Sequence, residues 1–172
     1  RVDGSHARVF IEGGSASSIN LAGEWVMRGD VRWVQNGTVN LIKRHGGVVL
    51  DLQAIPITAN VVCDASGSWS LQSDLVLNGR DIALDNGTLI TNGHMLTARA
   101  ITQQRRSSGR LLANNGILKL DEMPDDALIR NSIEHANALL VVDNAYASWG
   151  ITRSGDDRDI NVCGTGPGQT PF

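Results

Sequence analysis

Residues 75–98, LVLNGRDIALDNGTLITNGHMLTA, decide how the rest of the chain is read. Four short apolar pieces stand in this stretch: Leu75-Val76-Leu77, Ile82-Ala83-Leu84, Thr88-Leu89-Ile90 and His94-Met95-Leu96. They recur at offsets of seven, six and six residues, so equivalent positions fall into columns. Alternate residues of a strand point to opposite faces, which places Leu75/Leu77, Ile82/Leu84, Thr88/Ile90 and Leu96 toward one interior. Between the pieces lie Asn78-Gly79, Asn86-Gly87 and Asn92-Gly93, pairs that tolerate positive φ and permit sharp corners.

A second run upstream repeats the rule. Ile19-Asn20-Leu21, Trp25-Val26-Met27 and Val31-Arg32-Trp33 return at six-residue spacing, with Gly23-Glu24 and Gly29-Asp30 between them. Two architectures use such columns. In a short-stranded β-solenoid, parallel β-helix-like, each piece is one side of a coil and coils stack by parallel pairing. In an antiparallel meander each Asn-Gly is a two-residue hairpin turn, which leads to a β-sandwich or jelly roll. The solenoid places Ile82, Leu84, Ile90 and Leu96 inside, and the hairpin reading exchanges Ile90 for Leu89. Gly23-Glu24 and Gly29-Asp30 are poor hairpin turns, which favours the all-β solenoid.

The flanks extend the strand series through Ala7–Ile11, Val39–Ile42, Val48–Leu52 and Ile57–Cys63, and resume at Leu111-Leu112 and Ile117–Leu120. One helix is expected near 124–138, where Met123-Pro124-Asp125-Asp126 places proline and acids in a first turn. Strands are expected again over Ala138–Val142 and Ala145–Trp149, around Asp143-Asn144. The chain reads as a single β-rich domain over 1–163 with a flexible C-terminal tail over 164–172, rich in glycine.

With 172 residues, the chain can bury a core without a structural metal. A formal charge of -3 gives nucleic-acid binding no support. No run resembles a signal peptide or a membrane-spanning helix. Cys63 and Cys163 are the two cysteines and lack zinc-ligand spacing. A disulfide between them would close a long loop and fit an oxidising compartment.

Chemistry-bearing motifs are sparse. His6, His45, His94 and His135 stand far apart without an HxH or HExxH pattern, and no serine elbow or phosphate loop is present. Asp156, Asp157 and Asp159 offer oxygen ligands without the spacing of a calcium loop, so no metal or cofactor is assigned. The most suggestive catalytic carboxylates are Glu24 and Asp30, if equivalent corners of successive units bring them together; Asp74, Asp81 and Asp85 form a second group. Trp25 and Trp33, with Trp69 and Trp149, are candidate stacking platforms for sugar rings, although in a chain with only seven aromatics core filling is the safer assignment for most of them. Arg99, Arg105, Arg106 and Arg110 gather in a polar loop that suits solvent or an anion. Arg28-Gly29-Asp30 spells an integrin-recognition tripeptide, but here it occupies a corner.

The hexad-like runs at 19–33 and 75–98 resemble the β-solenoid segments of bacterial surface adhesins and phage tailspike-type proteins. The resemblance implies an extracellular, cell-surface or virion-associated structural module. It implies self-association as a homo-oligomer, a trimer among the options, or assembly with other surface subunits. The first expectation is therefore a non-enzymatic structural or adhesive protein with no membrane span. The second is a polysaccharide-binding or polysaccharide-cleaving domain using Trp25 and Trp33 with Glu24 and Asp30.

Overall fold

The structure is a computed structural model that describes residues 2–104, 107–113, 115–134, 137–142 and 161–164. In chain order the first strands are β1 (Val2–Gly13), β2 (Ser18–Leu21), β3 (Trp25–Gln35), β4 (Thr38–Leu41), β5 (Gly47–Asp51), β6 (Asn60–Leu71), β7 (Leu75–Val76) and β8 (Ile82–Ile90). They continue with β9 (Met95–Ala98), β10 (Ile101–Thr102), β11 (Arg110–Leu112), β12 (Ile117–Leu120), helix α1 (Asp126–Ser132), β13 (Ile133–Glu134), β14 (Leu139–Val142) and β15 (Asn161–Gly164). Every pairing among these strands is parallel. The chain is a β-solenoid of about six turns, and the antiparallel sandwich is excluded.

One coil shows how the sequence builds the rest. Residues 60–63 form a first face, 68–71 a second and 75–77 a third, after which Ile82 returns above Val61. The apolar pieces spaced by six or seven residues are therefore successive sides of one coil. Their stacking partners lie one full coil away: Leu75 pairs with Leu96, 21 positions later, and Leu96 with Leu118, 22 later. A hairpin would have paired each piece with its sequence neighbour. Here the Asn-Gly corner turns the chain without reversing it against itself.

Stacked inward residues make continuous apolar columns. Val39, Val61, Ile82 and Ile101 line the first face, Trp69, Leu89, Leu111 and Ile133 the second, and Leu75, Leu96, Leu118 and Leu140 the third. All are buried. Burying each such side chain contributes roughly 1.5–3 kcal/mol, so the core is distributed along the axis.

One expected orientation is corrected. Leu89 faces the interior and is fully buried, while Thr88 and Ile90 point outward. The reason is the corner at 85–87: its length reverses the alternation between Leu84 and Leu89, and the ladder shifts register there. Gly87 makes this possible with φ +71, over the backbone carbonyls of Ala65 and Gly67 and the ring of Trp69. The helix is also shorter than expected over 124–138. Asp125 caps it by accepting the Leu128 N–H at 2.6 Å, and it ends at Ser132 because Ile133 takes the parallel place beside Leu111. The tail from residue 165 onward lies outside the described residues.

The two kinds of Asn-Gly corner predict different mutational costs. A Cβ at Gly87 would collide with backbone of the coil beneath, so Gly87→Ala is expected to cost more than about 3 kcal/mol. Gly93 has φ +83 but open space around it, so Gly93→Ala is expected to cost only about 1–2 kcal/mol. Denaturant titration of both variants checks this, and equal losses would contradict close inter-coil packing at Gly87.

Candidate functional site

The acids proposed from sequence do not converge. Glu24 precedes the second-face segment of β3 and Asp30 follows it, so they stand at different corners of one coil. Strand rise puts them roughly 15–20 Å apart, well beyond the roughly 5–9 Å of a glycosidase pair. Asp30 accepts a hydrogen bond from Arg8 Nε at 2.7 Å. Glu24 is exposed. Spacing by six residues looked like stacking; it is the length of a side.

Asp74, Asp81 and Asp85 likewise occupy three different corners. Asp74 Oδ1 accepts the Met95 N–H at 2.9 Å, with His94 Nδ1 at 3.7 Å. Asp81 pairs with Arg99, which also donates to Glu122 Oε1 at 2.7 Å. Asp85 is buried and accepts both the Gln104 backbone N–H at 3.1 Å and the Gln104 Nε2 at 2.9 Å. Each carboxylate thus holds a neighbouring coil in register.

The tryptophans are corrected as well. Trp25 and Trp33 are 4% and 5% exposed, so neither offers a ring face to a sugar. Their centroids lie 5.3 Å apart with planes tilted by 50°, and Trp33 Nε1 donates to the Gln35 carbonyl at 2.8 Å. Both fall at inward positions of β3, where a large ring fills the coil interior.

The expected disulfide is absent, and Cys63 is a free, buried thiol. It sits in the first-face column between Leu41 and Leu84, where a thiol packs as a small apolar group. Cys163 lies on the third face beside Val141, four rungs further along through the pairs Leu77/Ala98 by column, Leu120, Val142 and Gly164. At about 4.8 Å per rung this is about 19 Å, far beyond disulfide reach. Burial, with a smaller contribution from the Asp85 charge, pushes the Cys63 thiol up to about 12.

The remaining charged candidates are engaged between coils. Arg28 of the integrin-like tripeptide donates to Asp51 Oδ2 at 2.5 Å and to the Met27 carbonyl at 3.1 Å. This bond, helped by the Ser73 hydroxyl and opposed by burial, holds the Asp51 carboxyl below its usual range. Arg110 pairs with Glu134 on the next coil. Arg99 is paired on both sides, and hydrogen bonding to Asp81 raises its pKa. Arg105, Arg106, Asp156, Asp157, Asp159 and Trp149 lie outside the described residues. Among the described residues no group of three or more His, Cys, Asp or Glu side chains could hold a metal ion.

Sequence reasoning missed these inter-coil partners, although a signal existed. Arg8/Asp30, Arg28/Asp51, Arg99/Glu122 and Arg110/Glu134 are separated by 22, 23, 23 and 24 residues, and Asn40 donates to Asn20 across 20. Opposite charges one coil apart therefore mark the repeat as surely as the apolar columns. No family model matches the chain, and comparison with curated proteins and with solved structures gives no match.

The position of Cys63 yields a pH dependence. Its folded pKa lies above the unfolded value near 9.0, so its contribution is complete below about pH 9 and is lost as pH rises toward 12. Alkaline unfolding of Cys63→Val is expected to begin at higher pH than that of the parent chain. In a Cys163→Ser variant, Cys63 is expected to resist a disulfide thiol reagent at neutral pH until the protein is unfolded. Rapid stoichiometric labelling of the native variant would contradict its burial.

Proposed function

We propose that this chain is a non-enzymatic structural or adhesive module of an extracellular appendage or virion surface. One observation carries the reading: the arginines Arg8, Arg28, Arg99 and Arg110 are each engaged with acids of the coil above or below instead of gathering into a site. Such stacking rigidifies a rod; it does not assemble a nucleophile with an acid. The core columns likewise run along the axis without a described break between Val39 and Ile101 or between Leu75 and Leu140. A rigid body of this kind suits display and load transmission. The extracellular or virion setting comes from the resemblance to surface adhesins and tailspike-type proteins. Its partners are copies of itself or other surface subunits.

Light scattering on the native protein tests the reading. A stable oligomer whose mass is unchanged by reductant is expected, together with no release of reducing ends from a panel of surface polysaccharides. Polysaccharide cleavage that disappears in Asp85→Asn or Glu24→Gln would overturn the non-enzymatic assignment.

A further inference from the structure

The three outer faces differ in chemistry. The first presents Ser18, Asn20, Thr38, Asn40, Asn60 and Thr102 outward, and the second carries the Arg28–Asp51 and Arg110–Glu134 pairs. The third is apolar over much of its length. Register places Met95, Ile117 and Leu139 directly above one another on its outer surface, with Val76, Thr97, Lys119 and Val141 in the adjacent outward column. Phe10 and Ile117, the exposed large hydrophobics among the described residues at 48% and 38%, both belong to this side of the coil.

We propose that this third face is the surface through which a second copy of the chain packs. The proposal rests on the self-associating module argued above and names where that association occurs. Two properties identify the occupant. The first is period: β7, β9, β12 and β14 pair without a register shift, so their outer side chains repeat at the rung spacing of about 4.8 Å. A surface that interdigitates with such a ladder must repeat at the same spacing, and the same face of another copy does. The second is area. The side chains described on this side span seven rungs, roughly 35 Å by 10 Å in projection, so with side-chain relief two faces together bury on the order of 1,000 Å². That reaches the threshold of about 1,000 Å² for a specific interface. Glu12, Arg32 and Lys119 lie among the apolar residues and leave the face without a strong single-sign charge.

The test is native mass, measured by light scattering and sedimentation across the micromolar range, with circular dichroism confirming the fold of each variant. The parent chain is expected to associate. Ile117→Glu is expected to return it to monomer, raising the dissociation constant about tenfold or more, while Thr102→Glu on the first face leaves the mass unchanged. If Ile117→Glu does not fold, the strand-compatible double variant Ile117→Thr with Leu139→Thr takes its place and is expected to weaken association in the same direction. Folded third-face variants that keep the parental mass would overturn the face assignment and leave the self-associating module standing. A parent chain that stays monomeric throughout would overturn both.

Discussion

Parallel backbone pairing between successive coils is the constraint on which every other feature depends. Each amide on a face must meet a carbonyl one rung away, so the faces keep nearly fixed lengths and all variation is pushed into corners. The coil separations show this: Ile82 and Ile101 differ by 19 positions, Leu96 and Leu118 by 22, Val2 and Met27 by 25. The surplus leaves the ladder where the register breaks, between Gly4 and Val9 and between Cys63 and Ser68. Glycine is needed where such a corner must lie flat on the coil beneath it, as Gly87 does over Ala65 and Gly67. At Gly93 the same residue serves only its positive φ.

The interior follows from the same stacking. A residue inside one coil touches its counterparts above and below, so a polar side chain survives there only at a corner where another coil can pair it. Gln35 is 1% exposed and donates from Nε2 to Ser17, while its backbone carbonyl accepts from Trp33 and Thr58. Thr91 donates to the Leu112 carbonyl at 3.4 Å. Cys63 needs no such partner, because its thiol stays neutral and apolar within a column of leucines. The two tryptophans of β3 obey the rule from the other direction: their rings occupy the space, and the Trp33 indole N–H reaches the Gln35 backbone carbonyl at the boundary.

This division explains which parts of the sequence were legible. Apolar-x-apolar pieces and Asn-Gly corners are local, and they specified strand, corner and solenoid correctly. The phase of Thr88-Leu89-Ile90 was not local, because it depends on how many residues the 85–87 corner spends outside the ladder. The separation of Glu24 from Asp30 and of Cys63 from Cys163 was hidden for a related reason: a six-residue offset counts sides and an offset of about twenty-two counts rungs. Trp25 and Trp33 fill the core, the reading that their scarcity favoured, and their alternation with Val26, Arg32 and Val34 puts them on the inward parity. Aromatic scarcity made core filling the stronger demand.

The charged residues complete the logic. On an ordinary globular surface a carboxylate or guanidinium is solvated and available; on a stacked coil it stands about 4.8 Å from its equivalent in the next rung. Like charges in one column would repel along the whole axis, so a stable ladder alternates sign or pairs across coils. Arg99 between Asp81 and Glu122 is that solution over three successive coils, and Arg28–Asp51 repeats it lower in the stack. A side chain held this way has its geometry set by the neighbouring coil. The Met95–Ile117–Leu139 column of the third face is the contrasting case, an outer column built from uncharged side chains at the same rung spacing.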